Sequence, residues 1–141
     1  MKRLSAIMLS LVGVMFIISM SSFTPQVEGQ KKGAAWDIPE KYQKMENPYA
    51  DDKSLVNIGK GLYMKHCRSC HGNAGLGDGP KARNLDVFPG DFSSAEFQKQ
   101  NDGTLYYQTI IGRDQMPNYE SKIPDEEDRW AVIMYLRSLK K

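Results

Sequence analysis

The sequence predicts a small all-α domain. Apolar residues recur at helical spacing in three separate segments, glycine and proline crowd the stretches between them, and strands are hard to place anywhere in the chain. The chain has 141 residues, with 19 Lys and Arg against 17 Asp and Glu, which leaves room for one domain and a tail. So even a charge balance argues against a dedicated nucleic-acid binder. Hydrophobic residues at 40% and charged residues at 26% exclude both a polytopic membrane protein and a disordered polyelectrolyte.

The organisation reads from the N-terminus as three parts. Residues 1–29 form an export signal or an uncleaved membrane anchor: Lys2 and Arg3 precede an uncharged stretch, 4–23, in which fourteen of twenty residues are apolar. That stretch is long enough to cross a bilayer. Small-residue cleavage sites end at Ser21 or Gly29, and with or without cleavage the rest of the chain is expected outside the cytoplasm, on the periplasmic side of the membrane. A lipoprotein would need a cysteine just after the apolar stretch, and both cysteines lie far downstream. Residues 30–50 form a linker or surface-hugging extension. They carry Pro39 and Pro48 and only scattered apolar side chains, namely Trp36, Ile38, Tyr42, Met45 and Tyr49. Residues 51–141 form the domain, small enough to gain from a buried cofactor.

Within the domain, Ser54 is placed to cap a helix carrying Leu55, Ile58, Leu62 and Tyr63 at spacings of three and four, with Gly59 one turn before Tyr63. That helix runs into Cys67. Residues 72–103 read as loop, broken by Gly72, Gly75, Gly77, Gly79, Pro80, Pro89 and Gly90. Residues 103–111, with Leu105, Tyr106, Ile110 and Ile111, suit a short helix ending at Gly112 and leading to Met116 and Pro117. The last helix has Pro124 at its start, then acids at 125–128, apolar residues at 130–136, and Arg137, Lys140 and Lys141 at its end. Acid first and base last complements the helix dipole.

Chemistry concentrates at Cys67-Arg68-Ser69-Cys70-His71, the C-x-x-C-H pattern of c-type haem attachment. Residues three apart share one side of a helical turn, so both thiols can reach the vinyl groups on one porphyrin edge while the next residue places an imidazole beneath the iron. Three alternatives fare worse. A thioredoxin-like redox site puts its cysteines between a strand and a helix, whereas helical periodicity precedes these. Zinc would have only His66, Cys67, Cys70 and His71, too tightly bunched to wrap a tetrahedron. A disulfide between Cys67 and Cys70 would close a tiny loop and stabilise little.

For the other face of the iron, His66 sits on the attachment side and reads as a solvent-facing helix residue. Among methionines, Met64 lies one turn before the attachment site and Met134 in the apolar run of the last helix, where packing roles are expected, and Met45 lies in the extension. Met116 lies in an unhelical loop, a poor place for a core methionine, and is the favoured ligand. Arg83 and Arg113 are candidate propionate partners, since a guanidinium matches carboxylate geometry; each could equally be a solvated surface arginine. Phe88, Phe92, Leu105, Tyr107, Ile110 and Trp130 are expected to wall the haem. The glycines at 75–79 lack the strand, the Gly-Lys-Ser/Thr ending and the helix of a phosphate loop. With no third histidine, hydrolase chemistry has no base.

Several separated motifs now agree: Gly59-Lys60-Gly61-Leu62-Tyr63, Cys67 to His71, Gly77-Asp78-Gly79-Pro80, the stretch 112–117, and the helix around Trp130 with its Tyr135-Leu136-Arg137 ending. Over residues 54–139 the chain resembles the class I cytochromes c. The resemblance implies that one haem c is attached through Cys67 and Cys70, that His71 is the proximal and Met116 the distal iron ligand, and that the Pro80 carbonyl accepts a hydrogen bond from the His71 ring. It also implies that Gly59 and Tyr63 cross the terminal helix near Val132 and Tyr135. The chain is similar to small bacterial cytochromes of respiratory complexes, such as the monohaem subunit of alternative complex III, a quinol:cytochrome c oxidoreductase.

A six-coordinate His/Met haem leaves no position for substrate and raises the reduction potential. The expected function is one-electron transfer, not catalysis, as a free carrier or a respiratory-complex subunit. Its expected partners are a membrane quinol-oxidising or dehydrogenase complex on one side and an oxidase or another cytochrome on the other. The rival reading is a peroxidase or gas sensor in which Met116 is absent from the iron or easily displaced.

Overall fold

A computed structural model describes residues 30–141, so the apolar stretch 4–23 and the rest of the expected signal lie outside the described residues. The described chain is helical: α1 (Glu40–Gln43), α2 (Leu55–His66), α3 (Arg68–His71), a 3-10 turn (Ala82–Asn84), α4 (Ala95–Gln98), α5 (Asp102–Tyr106) continued by a π turn (Tyr107–Ile111), and α6 (Glu126–Ser138). Among the described residues, β pairing is confined to two isolated bridges, Lys31 with Val87 and Arg113 with Met116. No described helix is long and apolar enough to cross a membrane.

The crossing of α2 over α6 builds the core. Leu55, Gly59 and Tyr63 face inward at a strict spacing of four, while Ile58 turns out to solvent at 45% exposure, so the buried stripe is narrower than the apolar pattern suggests. Gly59 lets the two backbones touch: a Cβ there would collide with the Ala131 carbonyl and press on Tyr135. The contact therefore centres on Ala131 and Tyr135, one residue from the expected Val132. In α6 every residue from Trp130 to Leu136 is buried, because Tyr106 packs on Trp130 (ring centroids 4.6 Å apart) and α2 covers the opposite side. A helix apolar all round needs such cover.

Capping differs in part from the sequence expectation. Ser54 does not cap α2, because its own N–H and hydroxyl both donate to Asp52 Oδ1, at 3.0 and 2.6 Å. Side-chain caps do form at Ser94 and Asn101, which accept from the N–H groups of Phe97 and Thr104. At the start of α6, Arg129 turns back to donate to the carbonyls of Glu120, Ile123 and Pro124. At its end, Arg137 pairs with Asp102 at 2.6 Å and so fixes α5 to α6.

The extension 30–50 lies against the domain. Tyr42, Met45 and Tyr49 pack on the core, and Gly103 has no room for a Cβ because the Tyr42 and Met45 carbonyls occupy that space.

Candidate haem-attachment site

Helix α2 delivers the site. It ends at His66, and the chain turns at Cys67 into the single helical turn α3, so that both cysteines and His71 fall within five residues on one short arc. The Tyr63 hydroxyl donates to the Gly72 carbonyl at 2.6 Å and ties the last turn of α2 to the end of α3. Gly72 stops the turn with φ of +81°, a conformation that favours glycine, and a Cβ there would strike Asp78.

The Gly-Asp-Gly-Pro segment serves the end of this turn. The last carbonyls of a helix lack intrahelical donors. Here Lys81 N–H donates to Ser69 at 2.8 Å, Gly79 N–H to Cys70 at 3.2 Å and Gly77 N–H to His71 at 2.9 Å. A side chain at Gly79 would stand 2.6 Å from the carbonyls of Arg68 and Ser69, so the close approach itself requires glycine.

Cys67 and Cys70 are both free thiols, the first buried and the second half-buried. Burial, and secondarily the neighbouring Cys70, pushes the Cys67 thiol up to about 12, so it stays protonated at neutral pH. His71 is buried, with its ring stacked on Phe92 at a centroid distance of 4.5 Å. That burial lowers its pKa to about 4 against a smaller opposing pull from the Pro89 carbonyl, which keeps the imidazole in the neutral, metal-binding form. Its Nδ1 is buried without a hydrogen-bond partner, so the bond expected to the Pro80 carbonyl is not made. The backbone on either side of Pro80 is held instead on Cys70 and Ser69, and Phe92 fixes the ring.

Met116 is half-buried and packs against the apolar cluster that contains Cys67, Phe92, Leu105 and Ile110. Met64 and Met45 pack on the same cluster, whereas Met134 is buried in a second cluster with Leu55 and Ala131. The turn bearing Met116 closes through Met116 N–H to the Arg113 carbonyl at 2.8 Å. Of the expected wall, Phe92, Leu105, Ile110 and Trp130 are buried, Tyr107 is half-buried and Phe88 stays 42% exposed.

Two other residues, His66 and Arg113, depart from expectation, while Arg83 matches the solvated-surface alternative. His66 is half-buried, not solvent-facing, with an unpartnered Nε2, because Tyr119 folds back over it and donates its hydroxyl to the His66 carbonyl at 3.1 Å. Burial pushes its pKa down, with Lys65 and Lys122 adding to the effect. Arg83 stands exposed on the 3-10 turn and makes no ion pair among the described residues. Arg113 is half-buried and engaged: it donates to the carbonyls of Ala34 and Ala35, the latter at 2.8 Å, and its guanidinium lies 4.0 Å from the Trp36 ring centre.

The donor set fits a covalently held haem. Two free thiols three residues apart adjoin a neutral, buried imidazole with an unpartnered ring nitrogen, and Met116 packs on the apolar cluster that contains Cys67. No group of three or more His, Cys, Asp or Glu side chains gathers as a metal site among the described residues.

The cytochrome c family profile matches residues 56–140, a span that begins in α2 and ends after α6. A structure of the reducing HAO-like protein complex Kustc0457/Kustc0458 of Kuenenia stuttgartiensis is similar at 27% identity and a TM-score of 0.55, over 63% of this chain and 45% of that one. This chain thus spans under half of that protein. The KustC0563 c-type cytochrome is 30% identical with a TM-score of 0.50, over 59% of this chain and 98% of that one. Cytochrome cL from Methylophaga aminisulfidivorans shares the fold, at 22% identity and a TM-score of 0.51 over 77% of this chain and 71% of that one. No curated protein matches the chain.

Proposed function

The chain belongs to the cytochrome c family, and from that premise we propose that it is an exported one-electron carrier holding a single haem c between His71 and Met116. Covalent haem and haem-based electron transfer follow from the family; the ligand pair, the single haem, the periplasmic location and the place in a respiratory complex are our reading. The observation that supports it most is the pairing of two free thiols with a neutral, buried His71 beside them.

Haem c, when bound, supplies a metal centre that takes up and returns one electron. Cys67 and Cys70 would hold it as thioethers. His71 offers a neutral nitrogen as donor, and Phe92, itself packed edge-on against Tyr63, stacks on the His71 ring and limits its rotation. Met116 offers an uncharged sulfur from a separate loop. Neutral donors in an apolar setting favour the less charged, reduced metal. Leu105, Ile110 and Phe92 exclude water from this side, while exposed Phe88 and Val87 leave an apolar edge open for a redox partner. On this reading electrons pass from a quinol-oxidising or dehydrogenase complex to an oxidase or a second cytochrome.

The test is the ferric spectrum of the purified protein and of Met116→Ala. A methionine-to-iron charge-transfer band in the wild type that disappears in the variant, with a lower potential, is the expected result. High-spin iron that binds carbon monoxide readily in the wild type would replace the carrier with a ligand-binding or catalytic haem protein.

A further inference from the structure

We propose that residues 30–45 form a strap that holds the Met116 turn in place, with Arg113 as the positioning residue. This rests on the reading of Met116 as the sixth ligand. The turn at 112–117 is conformationally demanding: Gly112 has φ of +71° and Asp114, which carries a side chain, has φ of +50°. Among the described residues, three side-chain hydrogen bonds fasten it to other elements. Two run from the Arg113 guanidinium to the carbonyls of Ala34 and Ala35, and the third brings the Asp86 N–H to Gln115 Oε1 at 2.9 Å.

All three lead to the same place. Asp86 belongs to a loop that is itself bound to the strap, since Phe88 N–H donates to the Lys31 carbonyl at 3.2 Å and the Gln30 amide donates to the carbonyls of Ala82 and Leu85. Gly33 fits between Val87 and Arg113, where a Cβ would already stand 3.0 Å from the Val87 methyl. The far end of the strap is anchored independently: Trp36 sets its ring edge-on to Tyr107 at 6.3 Å, Tyr42 packs on Tyr107 at 4.8 Å, and Asn101 donates to the Gln43 carbonyl at 2.8 Å. Arg113 thus reaches from the turn to a ledge fixed on both sides, stacking on Trp36 and filling two strap carbonyls at once. A lysine could not reproduce that planar fork. Without the strap, the turn would keep its backbone hydrogen bonds and the Gln115 tie to Asp86 but lose both Arg113 hydrogen bonds and the Trp36 stack.

The experiment uses the haem-loaded protein and imidazole as a competitor for the sixth position. Arg113→Ala and Trp36→Leu should each let imidazole displace the sulfur at a concentration at least tenfold lower than in the wild type, with far-UV helicity retained. Hydrogen exchange should show faster exchange at 31–38 and 112–117 and no change in α2. Lys32→Ala, which removes only the exposed pair with Glu96, should match the wild type in both measurements. An unchanged imidazole midpoint in Arg113→Ala overturns the positioning role while leaving Met116 as ligand. A wild type without the methionine band overturns the ligand assignment and the strap's role with it. Global loss of helicity in both variants overturns the proposal too, because it makes the strap a general stability element.

Discussion

Replacing Tyr63 with phenylalanine removes one oxygen and leaves the packing intact. The ring is fully buried, its centroid 5.1 Å from that of Tyr135 and 6.5 Å from that of Phe92, and none of these contacts needs the hydroxyl. What disappears is the 2.6 Å hydrogen bond to the Gly72 carbonyl, in a buried place where water does not substitute. A buried acceptor left unsatisfied costs about 1–3 kcal/mol, and no cavity is created to add to it. Tyr63→Phe should therefore lose about 2 kcal/mol, on the order of 10 °C in Tm for a domain of this size. Thermal and urea unfolding of the haem-loaded protein, followed by far-UV circular dichroism, measures it. Tyr135→Phe is the control, since its hydroxyl is affected by burial without a hydrogen bond, and it should stay within about 0.5 kcal/mol of the wild type. Equal losses in the two variants, or none in Tyr63→Phe, would refute the idea that this bond secures the attachment turn to α2.

Gly59→Ala should destabilise by about 2–3 kcal/mol in the same urea titration, because its Cβ meets the Ala131 backbone, which cannot move aside as a side chain would, and this outweighs the roughly 1 kcal/mol that alanine gains in a helix. Gly79→Ala should cost a similar amount, about 2–3 kcal/mol, through overpacking and the weakened hydrogen bonds to Ser69 and Cys70; its distinguishing sign is faster amide exchange at Gly79 and Lys81 with α6 unchanged. Burial holds the Tyr119 hydroxyl protonated up to about 12 and moves Tyr63, Tyr106 and Tyr135 upward as well. Above pH 10 the unfolded chain therefore binds fewer protons than the folded one, and stability should fall as the pH rises from 10 toward 12. Urea midpoints at stepped pH check this, and a flat profile would contradict the burial of these hydroxyls.

The attachment turn was legible because its chemistry is contiguous: two thiols and an imidazole within five residues need no tertiary information. Helices α2 and α6 were legible from their apolar spacing, but that they cross at Gly59 and Tyr63 came only from the resemblance to class I cytochromes c, since which helices meet is a tertiary fact. Ser54 misled because a serine before an apolar run suits a cap, yet Asp52, two residues earlier, captured its hydroxyl first. Ile58 misled because spacing marks a face and not its width. Short α4 lay hidden among glycines and prolines, although Ser94 with Glu96 and Phe97 after it was a usable capping signal. The roles of Arg113 and the extension were not legible at all. They depend on partners 78 and 79 residues away in sequence, and a cation followed by an aspartate looks like any exposed turn.

The central claim is that one haem is bonded to both thiols of this turn. Mass spectrometry of the exported protein, made in cells able to mature c-type cytochromes, tests it directly. The peptide containing residues 67–71 should carry the mass of one haem, and Cys67→Ser with Cys70→Ser should carry none. An unmodified peptide from the wild type, or haem that dissociates on denaturation, would contradict it.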